Sequence, residues 1–390
     1  MSKVEFSELI RTPLKYSEIL KYSKMTQTEA YALPDRLKVR FFYSLRVKHR
    51  LRDEAEEKLL SMLYTDSDVG VITLFGPTGA GKTALAETLG YRLQSISDSE
   101  HPFIYVKVPA HGNAKVSWKA FYQSILIAGD EPMIEVKRAW AVKDGYLLGS
   151  GRKGDLDGYC MAVKNMLKNR NTIMLAIDEI LHILRYGDND TAMDTIKSLS
   201  DAVTCKILLL GPYDLFDKVF GYGQLVRRGK PIYLGRYGSE FRTDNVAGRV
   251  RSERKGGVNS AMEKKIKEKN LLDIKEYKLI VTKLMARWPL ASVPAFDLIV
   301  ETLLEVTLGL VGLLKDLMTE CLVLQLNNKG AWQASFFRQA MKTREAIDKI
   351  RLEIEKGEIA LKNAHFDECI LTEESMDEVE RLLEVKSAEH

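Results

Sequence analysis

Cysteine is scarce in this chain. Only four occur in 390 residues, Cys160, Cys205, Cys321 and Cys369, far apart and with no C-x-x-C pair. That spacing makes neither a zinc site nor a disulfide framework, so the thiols read as reduced, as in a cytosolic protein. Long apolar runs are missing too. No stretch reaches the roughly 18 residues that span a bilayer, which argues against an integral membrane protein. The N-terminus, Met1-Ser2-Lys3-Val4-Glu5-Phe6, lacks the apolar stretch of a signal peptide. There are no internal repeats, and the C-terminal tail carries no helix-turn-helix pattern. Net charge is small, +4 from 58 Lys+Arg against 54 Asp+Glu. Apolar content is ample. Hydrophobic residues make up 45%, enough for a sizeable core and too many for wholesale disorder. At about 100–200 residues per domain, the length suggests two or three domains.

The small net charge hides a gradient. Residues 1–52 carry twelve Lys/Arg against five Asp/Glu, and residues 236–269 carry ten against five. Residues 353–390 carry four against twelve. Blocks of one sign mark interaction surfaces, although terminal charge runs are also often plain solvated helix faces.

Along the chain, Asp35 to Leu63 is rich in helix formers. Val71 to Phe75 reads as a short apolar strand running into a Gly-rich turn and a helix from about Lys82 to Leu93. Phe103 to Val108 is a second strand, stopped by Pro109, with a helix over Ser117–Ala128. Residues 129–154 lack a clean period and read as an insertion with loops. A helix over Leu156–Lys168 leads to the apolar strand Thr172–Ile177, ending in Asp178-Glu179. Thr191–Val203 is helical, and Lys206–Leu210 and Pro231–Leu234 are further strands. Continuous apolar strands alternating with helices imply a parallel α/β sheet, which binds ligands beyond its C-terminal strand ends. Residues 238–269 break the apolar pattern and read as a mobile basic loop. The rest reads as helical, over about 273–287, 295–306, 311–327 and 334–357. The implied organisation is a basic helical extension (1–65), an α/β core (66–237), the basic loop (238–270), a helical lid (271–330) and a helical, acidic extension (331–390).

The strongest motif is Gly76-Pro77-Thr78-Gly79-Ala80-Gly81-Lys82-Thr83, which fits G-x-x-x-x-G-K-[ST], the phosphate-binding P-loop. Its glycines let consecutive N–H groups turn inward at phosphate oxygens, and the following helix adds its positive end. Lys82 is suited to the β- and γ-phosphates, and the Thr83 hydroxyl to Mg²⁺. The second motif is an apolar strand ending in Asp178-Glu179. Asp178 is suited to holding Mg²⁺, and Glu179 to polarising an attacking water as general base. A small-molecule kinase has no need of that second carboxylate, so the pair favours ATP hydrolysis over transfer to a metabolite. Arg227-Arg228, ahead of the last strand, suits an arginine inserted into a neighbouring subunit's γ-phosphate site, the two residues being hard to separate. Lys315, in Gly309-Leu310-Val311-Gly312-Leu313-Leu314-Lys315, is either a γ-phosphate contact from the lid or a surface lysine.

In this order the features resemble an AAA+ P-loop NTPase: α/β class, parallel-sheet core, small helical lid, N- and C-terminal helical extensions. Four strings carry a narrower resemblance to the transposon target-selection ATPases of the TnsC/TniB/MuB group: Leu74 to Thr83, Ile207 to Leu215, Gln224 to Ile232 and Gly309 to Lys315, within a similarity covering about residues 60–330. Of these, Leu208-Leu209-Leu210-Gly211-Pro212-Tyr213-Asp214-Leu215 and Gln224-Leu225-Val226-Arg227-Arg228 point to this group rather than to P-loop ATPases in general. The resemblance implies an ATPase using ATP and Mg²⁺. It implies head-to-tail assembly on duplex DNA as a ring or filament, in the bacterial cytoplasm. Its implied partners are transposase subunits and a target-selection protein of the TniQ/TnsD type, with no membrane. Lys115 and Lys119, after the second strand, are the first candidates for DNA phosphate contacts, because relatives place DNA-tracking residues there.

Three features depart from the pattern. The strand ending at Gly211-Pro212 lacks the polar residue that often orients the lytic water, which implies slow hydrolysis. The basic segment after the last strand is long, and the acidic tail lies outside the shared core. The rival readings are another AAA+ DNA-remodelling machine, a small-molecule kinase and a signalling switch.

Overall fold

Three apolar runs without polar alternation form the centre of the sheet. The strands are β1 (Val71–Phe75), β2 (Phe103–Lys107), β3 (Ala139–Lys143), β4 (Tyr146–Ser150), β5 (Met174–Asp178), β6 (Lys206–Gly211) and β7 (Gly229–Tyr233). The computed structural model describes residues 16–64, 70–108, 117–143, 146–150, 153–184, 189–221, 229–239, 260–364 and 366. The main sheet has the order β2–β5–β6–β1–β7, with every neighbouring pair parallel. β1 and β5 are buried throughout, and β6 beyond its first residue. Strands covered on both faces have no use for a polar alternation.

Successive side chains go to opposite faces. Leu175, Ile177, Ile207 and Leu209 pack with Phe121, Tyr159 and Met193. Met174, Ala176, Leu208 and Leu210 pack with Leu59, Leu85 and Leu89. Helices Trp118–Ala128, Leu156–Asn169 and Asn189–Ala202 thus contribute to one face, and Arg50–Tyr64 and Lys82–Ile96 to the other. The parallel sense brings the C-terminal ends of β1, β2, β5 and β6 to one edge of the sheet. β6 lies between β1 and β5, so Gly211 is flanked by the strand that feeds the P-loop and the strand that ends in Asp178. Pro231 sits in β7, an edge strand, where one side of the backbone has no ladder to complete.

The N-terminal helices are built into the helical lid rather than standing apart from it. Tyr22, Val39, Phe41 and Phe42 share one core with Tyr277, Trp288, Phe296 and Leu314. The Phe42 and Trp288 rings meet edge-on at 5.0 Å, and Trp288 Nε1 donates to Gln325 Oε1 at 3.1 Å. Truncating a buried ring such as Phe42 to alanine costs about 3–5 kcal/mol.

Several boundaries differ from the sequence reading. The stretch expected to be an insertion with loops holds a 3₁₀ turn, Ile134–Val136, and the antiparallel hairpin β3–β4, registered Ala139 to Ser150. In the sequence, the Asp144-Gly145 pair between two apolar runs is a hairpin signal of period two, not a helical one. The basic loop expected over 238–269 is helical from Ser260, within the helix Ser260–Met285. The Lys and Glu residues from Ser260 onward break the apolar pattern, yet they are good helix formers. The helix expected over 334–357 is two, Ser335–Ala340 and Arg344–Asn363, the second capped by Thr343. Residues 240–259 and the acidic tail from 367 lie outside the described residues. Among the described residues, no helix is long and apolar enough to cross a membrane.

Candidate nucleotide site

The loop joining β1 to the helix Lys82–Ile96 turns through Gly79 and Gly81, at φ +87° and +99°. A side chain would strain that backbone. Gly81 caps the helix, whose first N–H groups have no partner within it and so suit an anion. The Lys82 ammonium donates to the carbonyls of Gly76 and Pro77, both at 2.8 Å. Burial lowers its pKa to about 8, against the opposing pull of Asp178 and Glu353.

Asp178, at the buried end of β5, is held by three donors. The Thr83 hydroxyl and the Tyr105 phenol both donate to Oδ2, at 2.6 and 2.7 Å. The Glu179 N–H donates to Oδ1 at 2.8 Å. Burial, reinforced by the Asp178 charge, pushes the Tyr105 phenol well above its ordinary pKa, so it stays a donor. Thr83 and Asp178 form an oxygen-only pair, the donor chemistry that suits a hard cation such as Mg²⁺.

Glu179 stands in the left-handed region, at φ +55°. Lys107, from the end of β2, reaches its Oε1 at 2.8 Å, and His182 Nε2 lies 2.8 Å from its Oε2. Burial works to raise its pKa, but the hydrogen bonds and charges of Lys107 and His182 outweigh it and hold the carboxyl below its ordinary value. Both oxygens are therefore engaged. A general base at this position must first be released from Lys107.

The lid closes the other side. The N–H of Gly312 donates to the Gly79 carbonyl at 3.0 Å. Lys315 donates to the Leu45 carbonyl at 2.7 Å and lies over the Tyr43 ring, 5.0 Å from its centre. Burial, then the neighbouring Arg46, drives its pKa well below the ordinary lysine value. Arg46 pairs with Glu87 at 3.0 Å, while its buried Nε has no hydrogen-bond partner among the described residues. From the C-terminal helix Arg344–Asn363, Glu353 accepts from the Thr78 N–H and hydroxyl at 3.3 and 3.0 Å.

Part of this set lines a cleft of about 700 Å³, with Tyr105, Lys107 and Glu353 outside its lining. It gathers Thr78, Gly79, Gly81, Lys82, Thr83, Asp178, Glu179 and Lys315, drawn from motifs spread over 240 positions. Gly76, Pro77 and Ala80 form the buried back of the same loop. Lys315, for which the sequence allows either a γ-phosphate contact or a surface lysine, lines the cleft. Lys119 does not; it is exposed, with its ammonium over the Tyr159 ring at 5.5 Å. Lys115, Arg227 and Arg228 lie outside the described residues. Gly211 and Pro212 line the cleft without a polar side chain, in line with the departure noted in the sequence.

Sequence reasoning missed Tyr105, Lys107, His182 and Glu353. His182 sits three residues beyond Glu179, within reach on a helical turn, and Lys107 ends an apolar strand. Glu353 carries no local signal at all.

Residues 65–219 match the family model described as an AAA domain. With the five-stranded parallel sheet, this makes the fold the AAA+ P-loop fold. No curated protein matches the chain. Among solved structures, ORC2 of Aeropyrum pernix is similar at 13% identity and a TM-score of 0.45, over 74% of this chain and 65% of that one. Drosophila ORC bound to DNA is similar at 12% identity and a TM-score of 0.44, over 100% and 88%. Cdc6p from Pyrobaculum aerophilum is similar at 13% identity and a TM-score of 0.44, over 90% of each chain. At these values the likeness carries no argument about activity or partners.

Proposed function

We propose that this chain is an ATP-dependent regulator of transposition. It would assemble head to tail on duplex DNA and link target-site selection to transposase recruitment. The observation that carries the nucleotide part is the convergence of Lys82, Thr83, Asp178, Glu179 and Lys315 on one cleft. The transposition part rests on the strings Leu208 to Leu215 and Gln224 to Arg228.

In this reading the P-loop N–H groups and Lys82 hold the phosphates of ATP, with Lys315 closing from the lid. Thr83 and Asp178 hold Mg²⁺, which when bound screens the phosphate charge. Tyr105 orients Asp178. Glu179, once free of Lys107, takes the proton of the attacking water. Arg227 or Arg228 of the neighbouring subunit supplies a guanidinium to the terminal phosphate, which makes assembly depend on ATP. A heterologous contact of that kind generates rings or open filaments. Lys115 and Lys119 contact DNA phosphates, and the partners are transposase subunits and a TniQ/TnsD-type target-selection protein.

One observation favours a second reading, a signalling switch that hydrolyses little. The cleft is flanked by Gly211-Pro212, where a polar side chain would help orient water. Electron microscopy with duplex DNA and a slowly hydrolysed ATP analogue separates the two. Nucleotide-dependent rings or filaments support the assembling regulator. Nucleotide-bound monomers alone remove it in favour of the switch.

A further inference from the structure

The C-terminal helix Arg344–Asn363 is anchored through its second half. There Ile354 shares a core with Ala80, Leu310 and Leu313. Gly357 lies so close to Tyr213 that a Cβ would meet the ring at 2.1 Å. Glu358 accepts two bonds from the Arg236 guanidinium, at 3.0 and 3.1 Å, and one from the Ser239 hydroxyl at 2.7 Å. The first half is mostly exposed, with Ile347 and Ile350 partly covered. A cavity of about 690 Å³ lies between this half and the lid, bounded by Ile347 and Arg351 on one side and Leu317 and Glu320 on the other. Tyr43 and Asp316 line both this cavity and the nucleotide cleft, so the two spaces adjoin.

Glu353 sits where the two halves meet, and its carboxylate is bonded to Thr78. Thr78 belongs to the first half of the P-loop. In such loops the backbone N–H groups cradle the α- and β-phosphates, and the lysine reaches the β- and γ-phosphates. Lys82 is bonded to Gly76 and Pro77, so it points toward that same first half. A terminal phosphate held by Lys82 would come up against this first half of the loop, where the Glu353 carboxylate is bonded to Thr78. A carboxylate and a terminal phosphate repel.

We propose that Glu353 is the residue by which this site distinguishes ATP from ADP. The γ-phosphate displaces its carboxylate from Thr78, and the first half of the helix swings outward about the Arg236–Glu358 anchor. The inference rests on the ATP-binding reading above.

The test is calorimetric titration of the full chain with ATPγS and with ADP, comparing the parent with Glu353→Gln. The amide keeps the size and one acceptor oxygen and removes the charge. Expected is an affinity for ATPγS raised about tenfold, with ADP changed less than about twofold, as loss of one like-charge contact implies. Hydrogen exchange on the parent gives a second reading. ATPγS should speed exchange over residues 344–353 and ADP should not, with residues 354–363 protected in both. An equal effect of Glu353→Gln on the two nucleotides, or no difference in exchange between them, overturns the proposal alone. A parent chain that binds neither nucleotide overturns the ATP reading, and this inference with it.

Discussion

The N–H of Gly312 donates to the carbonyl of Gly79 at 3.0 Å, so the lid helix Val311–Asn327 rests its first turn directly on the P-loop. The contact requires a glycine. A Cβ at position 312 would lie 2.4 Å from the Gly79 carbonyl oxygen and 3.2 Å from its Cα. Backbone on backbone has nowhere to yield. Gly312→Ala should therefore lower stability by about 1–3 kcal/mol, the usual range for overpacking. Nucleotide affinity should fall at least tenfold with it, because the loop and lid can no longer close together. Thermal melts and a fluorescent-nucleotide titration check both; unchanged affinity would show that the lid contact is incidental to the site.

Tyr105→Phe removes one of the two hydroxyl donors on Asp178 Oδ2 and leaves Thr83 in place. A hydrogen bond to a charged group contributes about 1.5–3 kcal/mol, so the variant should need roughly tenfold more Mg²⁺ for half-maximal ATP turnover. A Mg²⁺ titration at saturating ATP reads this. Serious loss of turnover at saturating Mg²⁺ would instead place Tyr105 in the chemistry itself.

Lys107→Ala frees one oxygen of Glu179 and removes a nearby positive charge. The carboxyl pKa should rise, since Lys107 is a principal cause of its depression. ATP turnover should increase several-fold, and the acid limb of its pH profile should move to higher pH. A rate that falls while nucleotide binding holds would mean that Lys107 assists catalysis rather than restraining it.

Nucleotide affinity should depend on pH near neutrality. Lys82 has its pKa lowered to about 8, so a fraction of its charge is lost as pH rises through that value. Only the ammonium attracts phosphate. Affinity should be highest below pH 7 and fall as pH rises through 8, with proton uptake on binding between. Calorimetry in buffers of different ionisation enthalpy measures that uptake directly, and zero uptake at pH 8 would contradict the assignment.

Glu179 shows how far the sequence reached. Its position after Asp178 was legible because a strand end is a local event: five apolar residues and then two acids. Its restraint by Lys107 was not, because Lys107 lies 72 positions earlier, on a strand that borders β5 only in the sheet order adopted here. Position 260 is the converse: Lys and Glu residues that interrupt the apolar pattern still form a helix, Ser260–Met285, because they are good helix formers.

The sequence by itself determined the P-loop, the acid pair at the end of β5, the parallel sheet and the helical lid. Each is encoded by neighbours in the chain: glycines that permit positive φ, apolar runs long enough to be buried on both faces, helix formers between breakers. Tertiary structure alone decided what those parts touch. It brought Gly312 onto Gly79, Lys107 onto Glu179 and Glu353 onto Thr78, pairs separated by up to 275 positions. Such contacts follow from strand order and from how a distant helix packs, and these emerge only when the apolar faces of all the elements are buried together.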